Sequence, residues 1–252
     1  MESIPVAVAK AEGRYVFQGR EVKMPVIVRD ASSAAATYLV SADAARRLLP
    51  GPELDVVELL PGRALFSIAC IDYRDNDLGD YHEVSLAFFA RRRRTPAGVP
   101  YVSTALNLLR NRIATYIYKL PVDQSFTCEA GRGIWGFPKS IEEIEFQVTG
   151  SAVQCRLTMG GQHVLTFATT RAGARTLPDT PMVTYSYIDG VLHQTRFVSG
   201  ATGVGIHLSG AQLTLGDHPI ANELRSLGLP KRPLMTVWME RQHGRFESPE
   251  RA

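Results

Sequence analysis

Cysteine is scarce in this chain. The three residues, Cys70, Cys128 and Cys155, are odd in number and widely spaced. Without a Cys-x-x-Cys pair they argue against a disulfide framework and a zinc ribbon, and free thiols suit a reducing compartment. A charge excess is also missing: 28 Lys and Arg against 25 Asp and Glu leave a net charge of +3, which gives no general reason to expect nucleic acid. No apolar run reaches the length of a membrane span, and Met1 to Lys10 holds no apolar stretch of leader length. The six histidines, His82, His163, His193, His207, His218 and His243, show no ligand spacing. Linkers, repeats and low-complexity tracts are absent. The expectation is a cytoplasmic protein with no metal, no cofactor, and neither nucleic acid nor membrane as partner.

What is present suits one folded unit. At 252 residues, 45% of them hydrophobic and 21% charged, the chain can bury a substantial core. Short alternating segments broken by Gly and Pro predict strands over most of its length. These are Tyr15 to Val28, Ala34 to Val40, Leu54 to Leu60, Ala64 to Tyr73, Tyr81 to Ala90, Ile141 to Val148, Gln154 to Ala168, Met182 to Val198, Val204 to Leu215 and Leu234 to Glu240. Asp189-Gly190 is the strongest hairpin turn. Three helices are predicted: one after Ser41, one over Ser103 to Leu120 and one over Asp217 to Gly228. The tail from about residue 242 is polar and reads as loose. The fold class that follows is α+β, mainly antiparallel β, with a curved, barrel-like sheet and a few short helices at its ends, in one domain over 1–252.

Two motifs are set aside. Arg91 to Arg94 lacks interleaved aromatics and reads as a solvated loop. Gly200-Ala-Thr-Gly-Val-Gly205 imitates a nucleotide-binding loop but leads into a strand, without βαβ context.

One stretch carries distinctive chemistry: Glu129-Ala-Gly-Arg-Gly-Ile-Trp-Gly-Phe-Pro-Lys-Ser140. Lys139 follows Ile134, Trp135, Gly136, Phe137 and Pro138. Apolar surroundings penalise an ammonium ion and lower its pKa, and a neutral amine attacks carbonyl carbon. The same residues also fit a lysine whose packed stem returns its charge to water. Within Tyr81 to Ala90, alternation puts Glu83 on the opposite face from Val84 and Leu86.

The run Gly131-Arg132 to Gly136-Phe137-Pro138-Lys139 resembles the lysine segment of the acetoacetate decarboxylase family. Val26 to Asp30 resembles that family's early strand, Leu78 to Glu83 its middle loop and strand, and Asp217 to Ala221 with Leu224 its late helix. The matches fall in family order between about residues 14 and 240. The resemblance implies a cone-like β-barrel around a buried pocket, a small keto-acid or carbonyl substrate, and a homo-oligomer. It assigns Lys139 as Schiff-base nucleophile, Arg29 as carboxylate clamp and Glu83 as acid/base or as the group that orients Arg29. Trp135 and Phe137 would line the pocket, and His82 would lie beside the substrate.

Three positions depart from the patterns of the family and its relatives. Ser140 stands where the family's second lysine follows the first, so desolvation would have to lower the Lys139 pKa alone. Ser67 stands where a second pocket glutamate is expected. Trp135 replaces a glutamine found in aldolase-dehydratase relatives. Three functions therefore follow: decarboxylation of a β-keto acid through an iminium and enamine, aldolase-dehydratase or cyclase chemistry through the same lysine, or a non-catalytic barrel that binds an apolar carbonyl ligand.

Overall fold

The structure is a computed structural model and describes residues 13–93 and 113–252. The chain begins with a small hairpin, β1 (Arg14–Phe17) and β2 (Arg20–Lys23), and then enters the long β3 (Val26–Ser41). Helix α1 (Ala42–Leu48) follows, then β4 (Leu54–Val56), β5 (Glu58–Leu60), β6 (Arg63–Asn76), β7 (Tyr81–Arg92) and β8 (Thr115–Val122). Helix α2 (Ser125–Trp135) leads to β9 (Lys139–Ile141), β10 (Glu143–Thr149), β11 (Ala152–Met159) and β12 (Gln162–Thr170). The chain closes with β13 (Arg175–Ile188), β14 (Val191–His207), β15 (Gln212–Leu215), α3 (Pro219–Ser226), β16 (Met235–Phe246) and β17 (Glu250–Arg251).

Seven strands in the order β7-β6-β3-β16-β14-β13-β8 form a barrel, and pairing of β8 with β7 closes it. Most pairs are antiparallel; β8 runs parallel to β13 and to β9. A second sheet, β10-β11-β12-β15, packs outside the barrel. The mainly antiparallel, barrel-like α+β class read from the sequence is the observed one.

Strand alternation divides each barrel strand between two environments. On β3, β6 and β7 one parity (Ala34, Tyr38, Phe66, Ile68, Val84, Leu86 and Phe88) packs against Val153, Leu157, Leu165 and Phe167 of the second sheet. The other parity faces the barrel interior. The main core therefore lies between the sheets, and the barrel interior is free to hold a site.

Several local predictions hold for visible reasons. Ser41 caps α1 by accepting from the Ala44 N–H at 3.3 Å, which satisfies a donor the helix leaves unpaired. The Asp189-Gly190 turn joins β13 to β14, with Ile188 opposite Val191. The Gly200 to Gly205 run lies inside β14.

Others are corrected. The helix expected over Ser103 to Leu120 is a strand from Thr115 onward, and its positions up to 112 lie outside the described residues. Thr115, Tyr116 and Ile117 are β-branched or aromatic and lie opposite Phe89, Phe88 and Ala87 of β7, so sheet packing overrides the helical spacing on which Tyr116 falls. The segment Val204 to Leu215 is broken into two strands at Ser209 and Gly210, whose φ values are +70° and +101°. His218 caps the late helix, its ring nitrogen accepting from the Ile220 N–H at 3.2 Å. Arg91 and Arg92 end β7 instead of opening a loop.

The polar tail is not loose. Strand β16 runs to Phe246, whose ring stacks on Phe197 at 4.1 Å between centroids, and β17 pairs with β14. Partly buried Phe246 also packs against Trp135 at 5.7 Å, and buried Gln242 bonds Ser33 and Ser199, so side chains as well as strand pairing hold the segment.

Phe66 tests the division of labour between the strand faces. Its ring is fully buried and lies 4.9 Å from that of Phe88. Phe66→Ala should cost about 3–5 kcal/mol, read as a lower denaturation midpoint at unchanged denaturant slope.

Candidate active site

Helix α2 has no counterpart in the sequence prediction, and it positions the site. It buries Phe126, Thr127, Ile134 and Trp135. It ends at Gly136, whose φ of +64° is a left-handed conformation that favours glycine. The Gly136 N–H donates to the Arg132 carbonyl at 3.1 Å and the Phe137 N–H to the Gly131 carbonyl at 3.2 Å. This reversal turns the chain through Pro138 into β9, where Lys139 lies opposite Leu120 of β8. Lys139 then points inward, while Ile141, two positions on, is exposed.

Gly131 makes room for the lysine. A Cβ there would lie 2.5 Å from Lys139 Cδ and 2.7 Å from Cε. The helix passes so close to the lysine stem that only a hydrogen fits between them.

Lys139 and Glu83 are 6% and 7% exposed. Lys139 Nζ lies 2.9 Å from Glu83 Oε2. It donates to Thr127 Oγ1 at 2.9 Å and, at longer range, to the Tyr81 hydroxyl at 3.5 Å. The Tyr73 hydroxyl donates to Glu83 Oε1 at 3.5 Å, and the Tyr73 and Tyr81 rings stack at 4.5 Å. Nζ also sits 4.8 Å above the centre of the Tyr81 ring, within cation–π range.

Burial alone pushes the Lys139 ammonium down, and it is the largest single influence. The Glu83 carboxylate, followed by Tyr81, pushes the other way and wins, so the amine sits above its ordinary value. This corrects the expectation of an amine kept neutral by apolar walls alone: the resting group is an ammonium in a buried ion pair. Burial also raises the Tyr81 phenol to about 12 and the Tyr73 phenol well upward, so both remain hydrogen-bond donors at neutral pH.

The pair opens on a cavity of about 300 Å³ inside the barrel. Its walls are mostly apolar, with Val26, Val28, Trp135, Phe137, Phe197 and Phe246 around the lysine end. Among the described residues that line it, Lys139 is the only cation and Glu83 the only anion.

Of the residues singled out in the sequence, Lys139, Glu83, Trp135 and Phe137 meet at this cavity, and Ser67 lines it further along. Arg29 and His82 lie outside it, which corrects their expected places. Val26 and Val28 face the cavity, so strand parity turns Arg29 outward. It is 47% exposed there and pairs with Asp75 at 2.8 Å and Asp77 at 2.7 Å. His82 lies between inward-facing Tyr81 and Glu83, so its ring points to the other face. Its Nδ1 is 2.7 Å from Asp123 Oδ2, and Phe146 stacks on the ring.

Sequence reading assigned no role to Tyr73, Tyr81 or Thr127. The two tyrosines could have been found: Tyr81 precedes Glu83 by two positions and Tyr73 lies opposite Tyr81 in the ladder. Thr127 had no local signal, because it reaches Lys139 only through the crossing of α2. Among the described residues, no cluster of His, Cys, Asp or Glu is arranged to hold a metal. No described helix is long and apolar enough to cross a membrane.

Two substitutions probe this geometry. Gly131→Ala should displace the lysine stem and lower amine reactivity at position 139 in a folded protein, read by site-resolved acetylation. Glu83→Gln removes the leading upward influence on the amine and leaves desolvation dominant. The Lys139 pKa should then fall, and acetylation at a fixed neutral pH should rise about tenfold for each unit of that fall. In the intact protein the folded value is raised. The stability this contributes is therefore complete below the unfolded lysine value of 10.5 and lost as pH climbs through the raised one. Alkaline titration should destabilise the wild type more than Lys139→Met.

Comparison with known proteins agrees with this fold. The barrel superimposes on acetoacetate decarboxylase (ADC) from Legionella pneumophila subsp. pneumophila str. Philadelphia 1 with a TM-score of 0.64 at 16% identity, over 90% of this chain and 87% of that one. A second acetoacetate decarboxylase structure gives 0.65 at 17% identity, over 92% and 90%. The enduracididine biosynthesis enzyme MppR, complexed with pyruvate, gives 0.61 at 17% identity, over 97% of each chain. At these identities the likeness is one of fold. A search of curated protein sequences finds no match. A family model described as acetoacetate decarboxylase (ADC) matches residues 3–245, nearly the whole sequence, and the chain belongs to that family.

Proposed function

We propose that this protein is a Schiff-base lyase that decarboxylates a β-keto acid on Lys139. The observation that carries the reading is the Lys139–Glu83 pair, buried at 2.9 Å in an apolar cavity. Isolated from water, an ion pair is costly relative to its neutral form. A substrate that displaces the remaining water favours transfer of the ammonium proton to Glu83. The freed amine attacks the ketone carbon, and the carbonyl oxygen takes up the proton released from nitrogen. Glu83, now a carboxylic acid, protonates the carbinolamine hydroxyl, which leaves as water. The resulting iminium draws in the electron pair of the bond to the carboxylate, and CO₂ departs. The enamine takes a proton at carbon, supplied by solvent. Water, deprotonated by Glu83, then attacks the iminium; the new hydroxyl proton passes to nitrogen, the C–N bond breaks to release the ketone, and Glu83 returns its proton to the Lys139 amine.

In this reading Glu83 is a proton shuttle, and Tyr81 and Thr127 hold the amine in line. Trp135 and Phe137 keep the pair dry. The net reaction consumes the keto acid anion and one proton and yields ketone and CO₂.

One observation favours aldol, dehydration or cyclisation chemistry through the same iminium. Among the described lining residues no arginine faces the cavity to hold a carboxylate. The fold neighbour MppR is described with pyruvate bound.

Incubation with acetoacetate or a longer β-keto acid, borohydride reduction and mass analysis separate the readings. The proposal expects an adduct on Lys139 together with CO₂ release. Lys139→Ala should abolish both, and Glu83→Gln should cut turnover by about 10²–10⁴-fold, the usual worth of general acid–base catalysis. An adduct without CO₂ supports the second reading. No adduct, with ligand still bound by Lys139→Ala, leaves a binding barrel and overturns both.

A further inference from the structure

Small residues lie in register across three neighbouring barrel strands. In the row at the lysine end, Ser33 lies opposite Ile71 and Ile71 opposite Glu83. In the next row Ala35, Ala69 and Ser85 pair across the same strands, and beyond it Ser67 lies opposite Ala87. All of these positions line the cavity. They form a floor of short side chains that starts at Glu83 and runs along β7 to Phe89. The six steps from Glu83 to Phe89, at a strand rise of about 3.4 Å each, span roughly 20 Å. Phe89, Ile113 and Thr115 line the far end. Met239 of β16 flanks the floor beside Ser33, and Met182 of β13 lies farther round the barrel; both are side chains that adapt to the shape of a ligand.

A closed barrel of this size normally fills its interior with side chains. Here the floor residues are too short to do so, and an empty apolar volume destabilises a fold. Among the described residues, no charge lines the trough beyond the Lys139–Glu83 pair, so a charged or strongly polar tail would be desolvated there without a partner. At about 30 Å³ per water-sized group, a volume near 300 Å³ holds roughly ten non-hydrogen atoms. That is more than acetoacetate needs.

We propose that the substrate carries an unbranched apolar chain of medium length, with its carbonyl at Lys139 and its tail along the floor of Ala35, Ala69, Ser85, Ser67 and Ala87. The proposal rests on the Schiff-base reading and names the substrate class of that site.

A chain-length series of acetoacetate, 3-oxohexanoate, 3-oxooctanoate and 3-oxododecanoate tests it, with CO₂ release and the borohydride adduct both measured. Each methylene should raise kcat/KM about fourfold up to 3-oxooctanoate, and 3-oxododecanoate should fall back. A flat or declining series with the adduct still on Lys139 overturns the chain proposal and leaves the Schiff-base reading intact. If no keto acid forms an adduct, that reading falls, and calorimetry with 2-nonanone and acetone judges the trough directly. Tighter binding of 2-nonanone supports it, and equal or no binding overturns it. In Ala87→Phe the ratio of kcat/KM for 3-oxooctanoate over acetoacetate should drop at least tenfold. An unchanged ratio in a folded variant overturns the proposed path. Should that variant not fold, the wild-type series decides.

Discussion

The site depends on a charge pair kept away from water. Removing one member of such a pair strands the other charge, which is far more costly than never having buried either. Much of the surrounding structure serves to prevent that. Thr127 and Tyr81 supply further hydrogen-bond partners to the ammonium, and Tyr73 supplies one to the carboxylate. Trp135 and Phe137, stacked at 5.6 Å between ring centres, line the cavity beside the lysine. The Trp135 Nε1–H in turn donates to the Glu247 carbonyl at 2.9 Å, so the C-terminal segment closes over the same wall.

The pair also resolves a difficulty raised by Ser140. A neighbouring ammonium lowers a lysine's pKa by repulsion; here no such neighbour follows Lys139 in sequence. The carboxylate does the opposite in the resting state and holds the proton on nitrogen. In the proposed reaction, readiness for attack would come from proximity to a proton acceptor at 2.9 Å, not from a low resting pKa. The neutral amine would be reached by moving one proton a short distance between two groups that are already in contact.

The fold was legible in the sequence wherever information was local. Alternation gave the barrel strands and set Glu83 on the face opposite Val84 and Leu86, Asp-Gly gave the β13–β14 turn, and Ser41 gave a cap. It was not legible where packing between distant segments decides. Tyr116 falls on a helical spacing with Leu106, Leu109 and Ile113 in the sequence, yet it lies on the strand that closes the barrel against β7. Helix α2 contains Gly131 and Gly133, which weaken any reading by propensity; Gly131 is explained only by the lysine stem beside it. In the site, the family resemblance pointed to Lys139 and Glu83, and the structure brings the two together at the cavity. Arg29 and His82 were misplaced because a motif match says which residues are near in sequence and not which side of a strand they occupy. Applying to Arg29 the alternation argument used for Glu83 would have turned it outward.

The division of β3, β6 and β7 into two faces has an evolutionary corollary. Outward positions such as Phe66, Ile68 and Leu86 hold the two sheets together, while the interleaved Ala35, Ser67, Ala69 and Ser85 border empty space. Selection can therefore remodel what the barrel accepts by drawing on every second codon of three strands, while the alternate codons preserve the scaffold. Such a protein is free to diversify in ligand preference without first acquiring surplus robustness.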